Sequence, residues 1–328
     1  MAGAQLQHYV PRFLLRRFGR GKKDQLHTYD KSTGTAFSRA ACKLAAQYDY
    51  YDFEFMGEAM TVEPGLADVE AKAGAHIARI VKERRLNLAD PVERGELARF
   101  FAVQLVRTPA QQATNGELFS RMETWLRTEG MPEAFFAPDP HVGGGENAER
   151  AMMARRIVNA PIEYGQAFID KDWVLFETHQ AHPYLIGDHP LVMHNEKKSD
   201  LRGNVGLNVE GIEIYFPISP RLTLGMLCPS IGDRIHSELA KSDAGSHSPG
   251  AAVVGDLSPP VRLMLAMGSG APFDAGTEGS TFFNSLQIAN AERFVFSADG
   301  NFSLLEDMLK RDPAMKRGQR LTEVTGKF

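Results

Sequence analysis

The sequence has little cysteine, no long apolar run and no excess of positive charge. Its two cysteines, Cys42 and Cys228, are far apart and offer neither a disulfide framework nor the paired spacing of a zinc site. Free thiols suit a reducing compartment, so we expect a cytoplasmic protein. No run of about 18 apolar residues is present, and no membrane-spanning helix is expected. The first residues also lack the basic region, apolar core and cleavage site of a secretory signal.

Several catalytic motifs are missing as well. No G-x-G-x-x-G follows a strand, no G-x-x-x-x-G-K-[ST] phosphate loop occurs, and there is no G-x-S-x-G elbow. These absences argue against a Rossmann enzyme, a P-loop enzyme and a hydrolase of the elbow type. His179, His182 and His189 lie near one another, but Pro183 and Pro190 interrupt any helix that would align them, so a metal site is not favoured.

Composition indicates an ordinary globular protein. The 328 residues are 43% hydrophobic and 24% charged, which is enough for a large core. A net charge of −4 excludes a basic coat over the whole surface but still permits a local basic groove. Two clusters are candidates for such a groove: Arg12, Arg16, Arg17, Arg20, Lys22 and Lys23, and then Lys82, Arg84 and Arg85.

The periodic patterns predict helices first and strands later. Helices are expected over residues 62–85, 91–107, 115–128 (with Trp125 buried) and 148–168, and strands over 25–30, 173–177, 184–187, 212–217, 222–227 and 293–297. Residues 48–55 are expected to be irregular, and residues 229–261 to be a long surface excursion. The prediction is an α+β fold, with a helical N-terminal half packed on a mostly antiparallel sheet from the C-terminal half. We treat 1–328 as one large domain, mainly helical over 1–170 and mainly strand over 171–328.

The N-terminal segment is unusually apolar for a chain terminus. Residues 7–18 read Q-H-Y-V-P-R-F-L-L-R-R-F. If Pro11 opens a helix, Arg12 and Arg16 share one face while the apolar side chains turn to the core. This pattern fits either a docked helix with snorkelling arginines or a site built on a buried terminus.

Asp188 is the strongest acid candidate. It follows an apolar strand and precedes His189-Pro190, where a carboxylate can activate water. The alternative is a turn aspartate that accepts backbone amides. Gln104 and Arg107 lie three apart on one predicted helix and suit a base edge or a phosphate, or else they cap the following turn and pair with an acid.

Three further residues leave similar choices open. Glu70 lies mid-helix beside an apolar stripe and is either catalytic or a solvated glutamate. His8 is a general acid, a phosphate ligand or a core histidine bonded to the backbone. Asn284 follows Phe282-Phe283 and either reads a base or serves as a structural amide.

The sequence also resembles a bacterial family that opens with the signature Q-H-Y-V-P-x-F-x-L-x-x-F, which residues 7–18 match. The likeness continues through Glu70, 101–109, Trp173, 186–190, 216–220 and 283–284. Where that family usually reads Ser-Asp-Asn-Pro, this chain reads Gly-Asp-His-Pro at 187–190. The family is associated with an anti-phage DNA glycosylase that removes glucosylated hydroxymethylcytosine.

The resemblance implies a DNA glycosylase that works on phage DNA with modified bases and needs no metal or organic cofactor. A flipped nucleotide would stack on aromatics such as Tyr9, Phe13 or Phe283. Asp188 would activate water or stabilise the sugar cation, with His8 and Glu70 as the other catalytic candidates. The residues expected to bind the substrate are Tyr9, Arg12, Phe13, Arg16, Gln104, Arg107, His189 and Asn284.

Two alternatives stay open from the residues. One is a metal-dependent nuclease or phosphoesterase with Asp188, His189, His8 and Glu70 as ligands. The other is a non-catalytic sensor that binds nucleic acid through its arginines and aromatics.

Overall fold

The computed structural model describes residues 5–196, 205–245 and 258–319. The first half of the chain forms β1 (Leu6–His8), α1 (Arg12–Phe18), β2 (Gln25–Asp30), β3 (Thr35–Ala40), β4 (Ala46–Tyr48), β5 (Asp52–Phe55), β6 (Glu58–Thr61), α2 (Glu63–Glu83), α3 (Pro91–Val106), α4 (Pro109–Thr128) and α5 (Gly145–Ile169). The second half forms β7 (Asp172–Glu177), β8 (Ile186–Gly187), β9 (Val192–His194), β10 (Glu213–Ser219), β11 (Leu222–Leu227), α6 (Pro229–Gly245), α7 (Pro259–Ser269), β12 (Pro272–Asp274), α8 (Gly276–Asn290), β13 (Phe294–Ser297) and α9 (Ser303–Arg311).

The strands form two larger sheets and two ribbons. One sheet has the order β12-β7-β11-β10-β9 and is antiparallel except where β12 pairs with β7. The other has the order β3-β2-β13-β8 and is antiparallel throughout. β1 pairs with β4, and β5 pairs with β6. The predicted α+β class is confirmed. The strand predicted over 25–30 is β2, which shares a sheet with β3 and β13. Residues 171–328 are not mainly strand as predicted, because helices α6 to α9 contain more of the described residues there than strands β7 to β13 do.

The long helices form where the apolar period predicts them. α2 buries Leu66, Val69, Ala73, Ile77 and Ile80, which recur at steps of three and four residues. α3 begins at a Pro after Asp90, whose carboxylate accepts from two backbone amides of the first turn. None of the helices within the described ranges is long and apolar enough to cross a membrane.

The N-terminal segment is docked on the core. α1 buries Leu14, Leu15 and Phe18, and the half-buried Phe13 ring lies 5.9 Å from that of Phe100. Pro11 precedes the first helical residue, as expected. The prediction that this terminus is buried is confirmed, since no more than a few per cent of the surface of its apolar anchors is exposed.

Three local predictions are wrong or only partly right. Trp125 is 59% exposed rather than buried, because α4 buries only Ala110 and none of the described residues covers its apolar stripe. Residues 48–55 include β5, which pairs with β6 as a ribbon. The expected excursion over 229–261 opens with α6, whose Ile231 and Ile235 are one turn apart and buried. Residues 246–257 lie outside the described residues.

We expect Leu14→Ala to lower the free energy of unfolding by about 2–5 kcal/mol, because it empties a fully buried position. Arg12→Ala, an exposed change in the same helix, should alter it by no more than about 0.5 kcal/mol. Urea unfolding followed by circular dichroism measures both. Equal losses for the two variants would show that α1 is not anchored through its apolar face.

Candidate active site

The candidate site is built around one fully buried arginine. Arg107 follows the last residue of α3, and its side chain is 0% exposed. Its Nη1 donates to Oε1 of Glu70 at 2.6 Å, while Nε and Nη2 donate to Oε1 of Gln104 at 2.9 and 2.7 Å. Gln104 Nε2 donates in turn to the carbonyl of Tyr9 at 3.0 Å. The network therefore ties α2, α3 and the N-terminal segment together. The binding roles expected for Gln104 and Arg107 would require this network to open.

Two carboxylates of α2 lie beside Arg107. Glu63 and Glu70 are two turns apart on the same face of the helix. Glu70 accepts the Arg107 bond, and its side chain remains 24% exposed. Burial raises the pKa of Glu63, and the charge of Glu70 raises it further, whereas Arg107 opposes the rise. Glu70 is thus fixed by its hydrogen bond with Arg107, while burial favours the protonated form of its neighbour Glu63.

His8 lies in β1 next to the same acid–arginine pair. Burial lowers the pKa of His8, and the charges of Arg12 and Arg107 act in the same direction, whereas Glu70 and a hydrogen bond with the backbone of Ala41 raise it. Its Nε2 is buried and has no hydrogen-bond partner among the described residues. A buried nitrogen of this kind has lost its hydrogen bonds to water and gained none from the protein. A bound ligand would supply one.

Three tyrosines wall the site. The rings of Tyr9 and Tyr50 lie 5.7 Å apart, and those of Tyr50 and Tyr51 lie 5.0 Å apart. Tyr50 Oη donates to the carbonyl of Arg107 at 3.2 Å, and Tyr51 Oη donates to that of His8 at 3.0 Å. Burial raises the pKa of Tyr50, so its hydroxyl stays protonated. Tyr50 is only half-buried and offers ring surface at the edge of the site.

Asp188 occupies a different environment from Glu70. Its Oδ1 accepts from the amide of Glu292 at 2.7 Å, and its Oδ2 accepts from those of Arg293 and Phe294, both at 2.9 Å. Burial raises the pKa of Asp188 to about 6, against the opposing effect of these amides and of Lys31. This geometry is that of a carboxylate fixing the turn before β13. Burial raises the pKa of the Tyr9 hydroxyl and the charge of Asp188 raises it further, so Asp188 is linked to the site electrostatically.

The segment that carries Asp188 is held from α8 by two amide side chains. Asn284 accepts from the amide of Leu185 at 2.8 Å and donates to the carbonyl of Pro183 at 3.1 Å. Gln287 accepts from the amide of Gly187 at 2.8 Å and donates to the carbonyl of Pro190 at 2.9 Å. Asn284 thus has both polar atoms bonded to the backbone. It also lines a separate cleft of about 220 Å³ near the start of α8.

The sequence-predicted residues fall into two groups. His8, Tyr9, Glu70, Gln104 and Arg107 come together in one network, with the exposed Arg12 at its edge. The others lie elsewhere: the Phe13 ring is part of the core, Arg16 pairs with Asp24 at 2.9 Å, and Asn284 holds the 183–185 segment. His189 is bonded to Thr108, the residue after Arg107, at 2.6 Å and so lies between the two groups.

Sequence reasoning missed several members of the site. Glu63 carries a usable signal, because its spacing from Glu70 places both on one helix face. The sequence holds no comparable signal for Tyr50, Tyr51 or Arg293. The neighbouring strands β4, β5 and β13 bring these residues to the site from distant positions in the chain. Among the described residues, no three His, Cys, Asp or Glu side chains are grouped as metal ligands. The four ligands expected for a nuclease therefore do not form a cluster there.

The chain is thus an α+β protein whose candidate site brings Glu63, Glu70 and His8 together next to three tyrosine rings. A family profile described as a protein of unknown function, DUF4238, matches residues 6–301, and the chain belongs to that family. Comparison with curated proteins gave no match, and comparison with solved structures gave none either.

We expect His189→Asn to change how stability depends on pH. Burial lowers the pKa of His189 from 6.5 to about 4, so its contribution is complete above pH 6.5 and is lost as the pH falls toward 4. Between pH 7 and pH 5 the parent protein should therefore lose about 1–2 kcal/mol more than the variant. The opposite effect of Asp188 is present in both proteins.

Chemical unfolding at the two pH values measures this difference. His182→Asn is the matched control, because His182 is exposed. Parallel pH profiles for the parent protein and His189→Asn would rule out a lowered pKa for the half-buried His189.

Proposed function

We propose that this chain is a cytoplasmic DNA glycosylase of phage defence that excises glucosylated hydroxymethylcytosine and leaves an abasic site. The observation that carries the proposal is the pairing of Glu63 and Glu70 beside the buried Arg107. Cleavage of a glycosidic bond commonly uses two carboxyl groups in opposite protonation states, one to assist the leaving group and one to activate water or stabilise the sugar cation. The resemblance of residues 7–18 to a glycosylase-associated family supports the choice of DNA as substrate.

The two carboxyl groups have separate tasks in this proposal. Glu70, fixed and charge-compensated by Arg107, accepts a proton from the attacking water. Glu63, whose pKa is raised, gives its proton to the departing base. Water adds to C1′ of the deoxyribose as the C–N bond breaks, and the electron pair of that bond leaves with the base. The products are the free modified base and an abasic sugar.

The surroundings fit a base held outside the duplex. The half-buried Tyr50 ring supplies a stacking surface, and the unpartnered Nε2 of His8 supplies a hydrogen-bonding atom. Enzymes that act on bases commonly combine such aromatic contacts with a few polar atoms that recognise the base.

Two exposed cations flank this cluster and are suited to phosphates. Arg12 acts electrostatically on His8, and the half-exposed Arg293 acts on Tyr9 and Asp188. Arg293 is held by Asp30, to which its Nη2 donates at 2.7 Å, so its guanidinium is already oriented. In this proposal phosphate contacts come from Arg12 and Arg293, while Arg107 positions Glu70.

The activity is tested with duplex DNA that carries glucosylated hydroxymethylcytosine, with unmodified duplex of the same sequence as the control. The expected products are free base, detected by mass spectrometry, and an alkali-labile site, both unaffected by a chelator. Strand cleavage that depends on a divalent ion, without free base, would replace the proposal with the nuclease alternative.

Glu70→Gln should lower the rate of base release by about 100-fold or more, because the amide cannot accept the proton from water. Asp68→Asn removes an exposed carboxylate from the same helix and should leave the rate unchanged.

Asp188→Asn should mainly lower the melting temperature, because an amide cannot accept three backbone donors as a carboxylate does. If Asp188→Asn is inactive at an unchanged melting temperature and Glu70→Gln is active, then Asp188 rather than Glu70 is the carboxylate that activates water.

A further inference from the structure

Helix α4 presents an uncovered apolar stripe. Leu118, Met122 and Trp125 follow one another at steps of four and three residues and are 52%, 45% and 59% exposed. The helix contacts α5 through its neighbouring face, where the Arg156 guanidinium lies 5.0 Å from the centre of the Phe119 ring. The stripe itself therefore has no partner among the described residues. Contiguous exposed side chains of this size mark interaction surfaces.

A concave apolar surface lies on the next helix. Met152, Arg155, Val158 and Asn159 of α5 face the β5–β6 ribbon and residues 138–144 across a groove of about 800 Å³. Phe53, Phe55 and Met60 form the ribbon side of this groove. Nothing in the described part of the chain fills this groove, and the Met152 and Val158 side chains therefore remain 44% and 63% exposed.

Glu129 on the stripe and Arg155 in the groove have opposite charges, and neither belongs to an ion pair among the described residues. The other charged residue that lines the groove is Asp139, whose carboxylate accepts from the amide of His141 at 2.8 Å. Glu129 caps α4 and continues the line of Leu118, Met122 and Trp125. Arg155 lies within the α5 groove. A carboxylate at a helix C-terminus is unfavourable unless a cation compensates it, which gives Glu129 a reason to meet Arg155. The stripe from Leu118 to Glu129 is about 16 Å long, and the α5 side of the groove, from Ala148 to Asn159, is also about 16 Å long.

We propose that the α4 stripe of one protomer occupies the α5 groove of a second copy, and that a two-fold axis repeats the contact. A two-fold contact requires a patch that complements itself, and this chain carries both the convex and the concave part. Glu129 of each protomer then meets Arg155 of the other. The dimer buries both apolar surfaces in a single arrangement, and the opposite charges fix its register.

The full chain is tested by sedimentation over a concentration series. We expect a dimer at micromolar concentration and a blue shift of tryptophan emission with association, because Trp125 becomes buried while Trp173 is already buried in the monomer. Trp125→Ala should abolish association. A parent protein that remains monomeric at about 100 μM would overturn the proposal.

Charge reversal tests the pairing directly. Glu129→Arg and Arg155→Glu should each weaken the dimer by about tenfold or more, and the double variant should recover most of the affinity. Arg311→Glu, on the exposed surface of α9, is the matched control and should leave association unchanged. A dimer that withstands both single reversals, or a double variant as weak as the single ones, would show that α4 does not bind this groove.

Discussion

The burial of Arg107 is the interaction on which the rest of the site depends. Removing a guanidinium from water costs several kcal/mol, so the protein must supply acceptors for it. Glu70 and Gln104 supply them, and Gln104 passes the constraint to the Tyr9 backbone. Helices α2 and α3 and the N-terminal segment therefore take fixed positions around one charge. The apolar anchors of α1 stabilise the same arrangement from the other side.

A second ionic arrangement fixes the opposite wall. Lys31 is buried and donates to the carbonyls of Ile288 and Ala291 at 2.6 Å, where α8 ends. Asp188 accepts the amides of the residues that follow. The Lys31 cation thus compensates the partial negative charge at the carbonyl end of α8, and the Asp188 carboxylate compensates the amides just beyond that end. The α8–β13 connection is held rigidly, and it carries Arg293 to the side of Tyr9.

The β5–β6 ribbon joins the site to the groove on α5. Asp52 begins β5 and accepts from Gln7, the neighbour of His8, at 2.7 Å. Phe53 is the next residue and lines the groove, as alternation along a strand requires. A molecule bound in the groove would therefore contact β5, the strand that supports the N-terminal segment. This geometry offers a physical route by which association of two copies can stabilise the site.

The sequence by itself determined the helical periods of α2, α3 and α5, the strands β7, β8, β10, β11 and β13, and the burial of residues 7–18, because these depend on local spacing of apolar residues. It also singled out His8, Glu70, Gln104 and Arg107 as candidates, and the structure brings these four residues close together. Only the tertiary structure decided that Arg107 faces an acid, that the Asp188 carboxylate accepts backbone amides, and that Trp125 is exposed. Those outcomes depend on which distant groups surround each side chain, and no local pattern records that.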